Sequence, residues 1–226
     1  MHTIQMPQWA IERGRATNYF DTIELARTAL LGIDMQNAFM MPGAVFANPH
    51  ACDIVPNLNC LAAAVRRAGG LVVWTRQTIS EQAPWAYPSW QFDDSNPFIA
   101  TAKAALRDGA FGHMLHADMD VHADDWVLNK HRYSAFIQNS SDLHVRLQAR
   151  GIDTLIVTGT LSNCCCDSSA RDANMLGYKI VFASDATAAV TDAEHNAALL
   201  NLQIMFADVR STAEILTLID CSVAAT

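Results

Sequence analysis

Three consecutive cysteines, Cys164, Cys165 and Cys166, follow an apolar, β-branched run (Leu155, Ile156, Val157, Thr158) and a small-residue turn at Gly159 and Thr160. A buried strand that ends in a tight turn and feeds a helix sets the first helical residues at the carboxyl edge of a sheet, where α/β proteins bind ligands. The free N–H groups and positive end of such a helix favour a thiolate over a thiol. They also stabilise the oxyanion that forms when the thiolate attacks a carbonyl. Consecutive helical residues point in different directions, so at most one of the three is a nucleophile and the others read as small core residues.

Two further groups carry chemistry. Asp34 closes the apolar run 29–33, and Lys130 closes the run 126–129. Taken alone, Asp34 also suits a turn, where its carboxylate satisfies nearby N–H groups, and a strand-end lysine is most often a snorkelling surface residue. An acid, an amine and a sulfur at the carboxyl ends of three strands of one sheet would, however, form a site for nucleophilic catalysis.

The elements that must position these groups alternate along the chain. Strands are predicted at 29–33, 71–74, 126–129, 155–158, 179–183 and 207–209. The residues that separate them read as helices at 51–68, 142–151 and 192–206, the last with an acid-rich first turn. A final helix, from Ser211 or Thr212 to about 219, opens with a capping box in which Glu214 follows Ser211 by three residues. This alternation predicts one α/β domain over 28–226, a doubly wound six-stranded parallel sheet with helices on both faces. Residues 1–27 read as an arm that packs on the domain or on a neighbouring subunit. Residues 75–113, rich in aromatic residues and proline, read as a substrate pocket, a subunit interface or a cover for a sheet edge.

Composition narrows the function classes. The net charge is −8, from 15 basic and 23 acidic residues, and no basic cluster could track a phosphate backbone, which argues against a nucleic-acid partner. The chain shows neither an 18-residue apolar run nor a signal-peptide core, so no membrane association and a cytoplasmic location are expected, with reduced cysteines. The segment 113–125 gathers His113, His116, Asp118, Asp120 and His122, but their spacing fits no two-histidine metal motif. It reads as a solvated acidic loop, with no metal or cofactor expected.

The stretches LLGIDMQNAFMMPGA, VLNKHRYSAF, IVTGTLSNCCCDSSARDANMLGY and ASDATAA together resemble the isochorismatase-like cysteine hydrolase superfamily. The resemblance implies a catalytic triad of Asp34, Lys130 and Cys165, with Cys164 and Cys166 in places usually held by aliphatic residues. It also implies a non-proline cis peptide at Leu161–Ser162 and an oxyanion held by N–H groups around Ser162 and Cys165. The implied chemistry is amide hydrolysis through a thioester, without a metal. Nicotinamidases carry an Asp-x-His motif where this chain reads Trp74-Thr75-Arg76-Gln77-Thr78, and isochorismatases proper lack the nucleophile. The motifs look most like ureidoacrylate amidohydrolases and hydrolases of biuret and triuret. The alternatives are an amidase of nicotinamide or carbamoylsarcosine type and a catalytically silent binding or assembly module. Gln36, Phe39, Arg76, Gln77 and Tyr133, as strand-end and loop residues, are expected to line the pocket of a small-molecule substrate. Family likeness implies a homodimer or homotetramer.

Overall fold

The computed structural model describes residues 1–224. The first half of the chain forms α1 (Gln8–Arg15), β1 (Thr28–Ile33), α2 (Asn37–Met40), α3 (Val55–Arg67), β2 (Leu71–Gln77), α4 (Pro97–Leu106) and β3 (Trp126–Lys130). The second half forms α5 (Leu143–Ala149), β4 (Thr154–Thr160), α6 (Asp167–Met175), β5 (Lys179–Ala188), α7 (Asp192–Met205), β6 (Asp208–Arg210) and α8 (Thr212–Ala224). The six strands are all parallel, in the order β3-β2-β1-β4-β5-β6, which is the doubly wound sheet expected from the sequence.

Side chains alternate across a strand, and both faces of this sheet are covered, so the strands read as unbroken apolar runs. Leu30, Val72, Ile156 and Val181 pack with α3 and α8 on one face. Leu31, Val73, Leu155 and Val157 pack with α5, α6 and α7 on the other. From β1 the chain winds outward to β3, then returns to place β4 on the other side of β1. The resulting reversal opens a crevice at the carboxyl ends of β1 and β4. Asp34 and the cysteine turn border that crevice.

Gly159 permits the close approach of these two strands. Its φ is +107°, and a Cβ there would sit 2.2 Å from the Ile33 carbonyl oxygen, so only glycine fits.

Several boundaries differ from the sequence reading. Strand β2 continues to Gln77 and β5 to Ala188, while α3 starts only at Val55. Helix α4 lies inside the aromatic connection, capped by the Asn96 side chain, which accepts from the Phe98 N–H, with Pro97 in its first turn. The arm docks on its own domain: α1 runs against α7, with Gly14 against Gln203 and the Gln5 N–H donating to Asn196 at 2.6 Å. The Ser211–Glu214 capping box is present. Among the described residues no helix is long and apolar enough to cross a membrane.

Candidate active site

Asp34 follows β1 with φ +53°, a left-handed conformation that non-glycine residues rarely adopt. Its Oδ1 accepts from the Thr75 hydroxyl at 2.9 Å, and its N–H donates to Thr75 O at 3.1 Å. Oδ2 meets the Lys130 ammonium at 2.7 Å, and neither side chain is exposed. Adjacent strands lie about 4.8 Å apart, so a group on β3 must span roughly 10 Å, across β2, to reach the end of β1. A lysine has that reach. The ammonium also donates to Gln77 Oε1 at 2.6 Å and to Arg132 O at 3.1 Å, which accounts for all three of its hydrogens. Burial alone would lower the Lys130 pKa, but the Asp34 carboxylate, with help from Cys165, holds it above its ordinary value. Among the described residues Asp34 Oδ2 has no hydrogen-bond partner besides this ion pair, so it can still accept a proton.

Beyond β4 the backbone widens into a π-type turn, Ser162–Cys166. Leu161 O accepts from the N–H groups of both Cys164 and Cys166, each at 3.1 Å. The non-proline cis bond expected at Leu161–Ser162 lies one residue earlier, at Thr160–Leu161, directly ahead of the turn that Leu161 caps. Cys166 is sealed in the core. Cys165 is 6% exposed and Cys164 is half-buried, and both line a cavity. Cys164 is therefore only in part the core substitute expected of it, since it packs against the core and also lines the cavity. A hydrogen bond between the two thiols lowers the Cys164 pKa and raises that of Cys165, which burial raises further; the Lys130 ammonium opposes that rise.

Ser162 is held from behind. His195 Nε2 lies 2.9 Å from Ser184 O, an acceptor only, so Nε2 carries the hydrogen and Nδ1 accepts from the Ser162 hydroxyl at 2.9 Å. Burial, then the neighbouring His2, pushes the His195 pKa down to about 4. His2 of the arm stacks on His195 with ring centroids 4.2 Å apart. The sequence reading missed His195, whose signal was its place on the buried stripe of α7 with Ala198, Leu199 and Leu202.

The cavity has a volume of about 260 Å³. Of the five expected wall residues, Phe39, Gln77 and Tyr133 line it, as does Leu161. Gln36 does not. It is buried beneath, where its amide accepts from Gln77 N at 2.7 Å and donates to His113 O at 2.9 Å. Arg76 does not line it either, because its neighbour Gln77 takes the cavity face of β2 and the next residue points the other way. The aromatic connection supplies Tyr87, Gln91, Phe92, Phe98 and Ile99 to the wall. A wider groove of about 490 Å³, lined by Arg15, Tyr19 and Arg210, contains none of the groups described above.

The residues of segment 113–125 serve other partners. Burial pushes the His113 pKa down to about 4, and the ring pairs with the Thr78 hydroxyl at 2.8 Å. Asp120 and Asp125 bind Arg66 at 3.0 and 2.6 Å. His2, His50 and Asp192 do converge. His2 Nδ1 lies 2.7 Å from Asp192, and His2 Nε2 accepts from the Ala189 N–H at 3.1 Å.

Residues 28–214 match the model of the isochorismatase domain, and the chain belongs to that family of hydrolases. It is similar to a cysteine hydrolase from Pseudomonas syringae pv. phaseolicola 1448A, with 27% identity, 88% of this chain and 95% of that one covered, and a TM-score of 0.79. It is also similar to N-carbamoylsarcosine amidase from Thermoplasma acidophilum, with 26% identity, coverage of 82% and 96%, and a TM-score of 0.66. The pyrazinamidase of Pyrococcus horikoshii in complex with zinc, 21% identical with coverage of 82% and 99%, shares the fold at a TM-score of 0.66.

Proposed function

We propose that this chain is a cysteine-dependent amidohydrolase that cleaves the C–N bond of a small linear amide through a thioester. The observation that carries this reading is the fully buried Lys130–Asp34 pair, which acts electrostatically on a thiol, Cys165, that lines a largely apolar cavity.

In this mechanism the Asp34 carboxylate takes the Cys165 proton as substrate arrives, and Lys130 holds the carboxylate in place. The thiolate attacks the amide carbon. Leu161 O occupies the N–H groups of Cys164 and Cys166, and the Cys165 N–H is the donor we assign to the oxyanion. Protonated Asp34 gives its proton to the leaving amine as the C–N bond breaks and the thioester forms. Asp34 then removes a proton from water, which attacks the thioester and releases the acid and the free thiol. No step requires a metal.

The head group this chemistry needs is a terminal carboxamide or carbamoyl unit, which ureido compounds such as biuret, triuret and ureidoacrylate share with simple amides. Likeness to N-carbamoylsarcosine amidase supports the carbamoyl class. Ammonia release from a panel of ureidoacrylate, biuret, triuret, nicotinamide and carbamoylsarcosine tests the reading. At least one compound should be hydrolysed by the wild type and not by Cys165→Ala; full activity in that variant would refute it.

A further inference from the structure

The cavity wall says what the rest of the substrate must be. Phe39, Phe46, Tyr87, Phe92, Phe98 and Leu106 present mainly carbon, and among the described residues none that lines the cavity is acidic or basic. Three nearby cations are committed, and Arg76, whose Nε has no hydrogen-bond partner among the described residues, does not line the cavity. Lys130 spends its hydrogens on Asp34, Gln77 and Arg132 O. Arg132 lies over the Tyr87 ring and gives its terminal nitrogens to the carbonyls of Trp85 and His131 (2.7 and 2.6 Å) and of Pro84 and Ala86 (3.2 and 3.1 Å). Lys103 pairs with Asp94 at 2.5 Å.

Two tyrosine hydroxyls among the lining residues are neutral. Tyr87 Oη accepts from Gln77 Nε2 at 3.1 Å, and Tyr133 Oη accepts from Gln91 Nε2 at 3.2 Å. Among the described residues neither hydroxyl hydrogen has an acceptor, so each is available to a carbonyl oxygen or ring nitrogen. Burial raises both phenol pKa values, which keeps these groups protonated.

We infer that the enzyme selects an uncharged amide whose non-reacting part is aromatic or aliphatic, and that it discriminates against amides and ureido acids bearing a carboxylate. This inference rests on the amidase reading and adds the substrate's second half. An apolar group gains by leaving water for these rings. A carboxylate would be buried without a cation, close to the Asp34 carboxylate and the reacting sulfur. At about 30 Å³ per water-sized group, the 260 Å³ cavity holds about nine such groups, the size of one substituted ring with its amide.

The test compares benzamide and 4-methylbenzamide with 4-carbamoylbenzoate by ammonia release, on the wild type and on Gln91→Arg, which sets a cation in the wall. The neutral amides should exceed the carboxylate in kcat/KM by at least about 100-fold on the wild type. Gln91→Arg should shrink that ratio at least about tenfold. Equal or faster turnover of the carboxylate by the wild type overturns the inference and leaves the amidase reading intact. If none of the three is hydrolysed, calorimetric binding to the wild type decides. Neutral compounds binding about 100-fold tighter uphold the selectivity, the amidase reading being decided separately by the five-compound panel, and equal or absent binding overturns the inference.

Discussion

Lys130 Nζ and Asp34 Oδ2 meet at 2.7 Å across an intervening strand, both sealed from solvent. The strand between them supports both partners, as Thr75 holds the other carboxylate oxygen and Gln77 takes a second ammonium hydrogen. Two opposite charges so placed stabilise each other only as a pair, because each alone would be an uncompensated buried ion.

Lys130→Met should therefore destabilise the protein by about 3–5 kcal/mol and abolish hydrolysis. The double variant Lys130→Met/Asp34→Asn should recover most of the lost stability and none of the activity. Urea unfolding with an activity assay checks both. Additive losses in the double variant would mean that the pair is not energetically coupled.

Gly159→Ala tests the approach of β4 to β1. An added Cβ would meet the Ile33 carbonyl at 2.2 Å, and the φ of +107° is itself strained for alanine. A loss of at least about 2 kcal/mol in unfolding free energy is expected, and a change below about 0.5 kcal/mol would contradict this packing.

His113 and His195 give stability an acid limb. Both are held at about 4, mainly by burial, whereas the unfolded chain protonates near 6.5. Between those values the unfolded state binds more protons, so the stability these groups contribute is complete above pH 6.5 and is lost as pH falls toward 4. Each contributes a slope approaching about 1.4 kcal/mol per pH unit inside that window. Denaturant titrations at pH 7, 6 and 5 should show the decline, and flat values would contradict neutral burial of these rings.

Thiol labelling should distinguish the two cysteines at the cavity. Cys164 is half-buried with a lowered pKa, and Cys165 is nearly closed off with a raised one. Iodoacetamide near neutral pH should modify Cys164 first and inactivate the enzyme by filling the cavity. Peptide mapping that finds Cys165 modified first would reverse this order.

How much of this was legible in the residues follows from where the information lies. The strands stood out because burial on both faces leaves unbroken apolar runs, and Asp34, Lys130 and the cysteines because each ends or follows such a run. The meeting of Lys130 with Asp34 was expected from their places at strand ends and from the family resemblance, but not its geometry, which depends on the strand order that puts β2 between them. Gln36 and Arg76 read as rim residues because both stand near strand ends, but alternation along β2 turns Arg76 away while Gln36 turns inward to bind backbone. Helix α4 was hidden because Asn96-Pro97, which starts it, lies in a stretch that otherwise reads as loop. The resemblance places Cys164 where aliphatic residues usually stand, whereas a π-type turn spans Ser162–Cys166 and Cys164 also lines the cavity.

Acid quenching during turnover of a hydrolysed amide, followed by peptide mass spectrometry, tests the central claim most directly. An acyl group should be found on Cys165, and Cys165→Ala should show neither adduct nor turnover while Cys164→Ala keeps both. An adduct on Cys164, or turnover by Cys165→Ala, would contradict the assignment of the nucleophile.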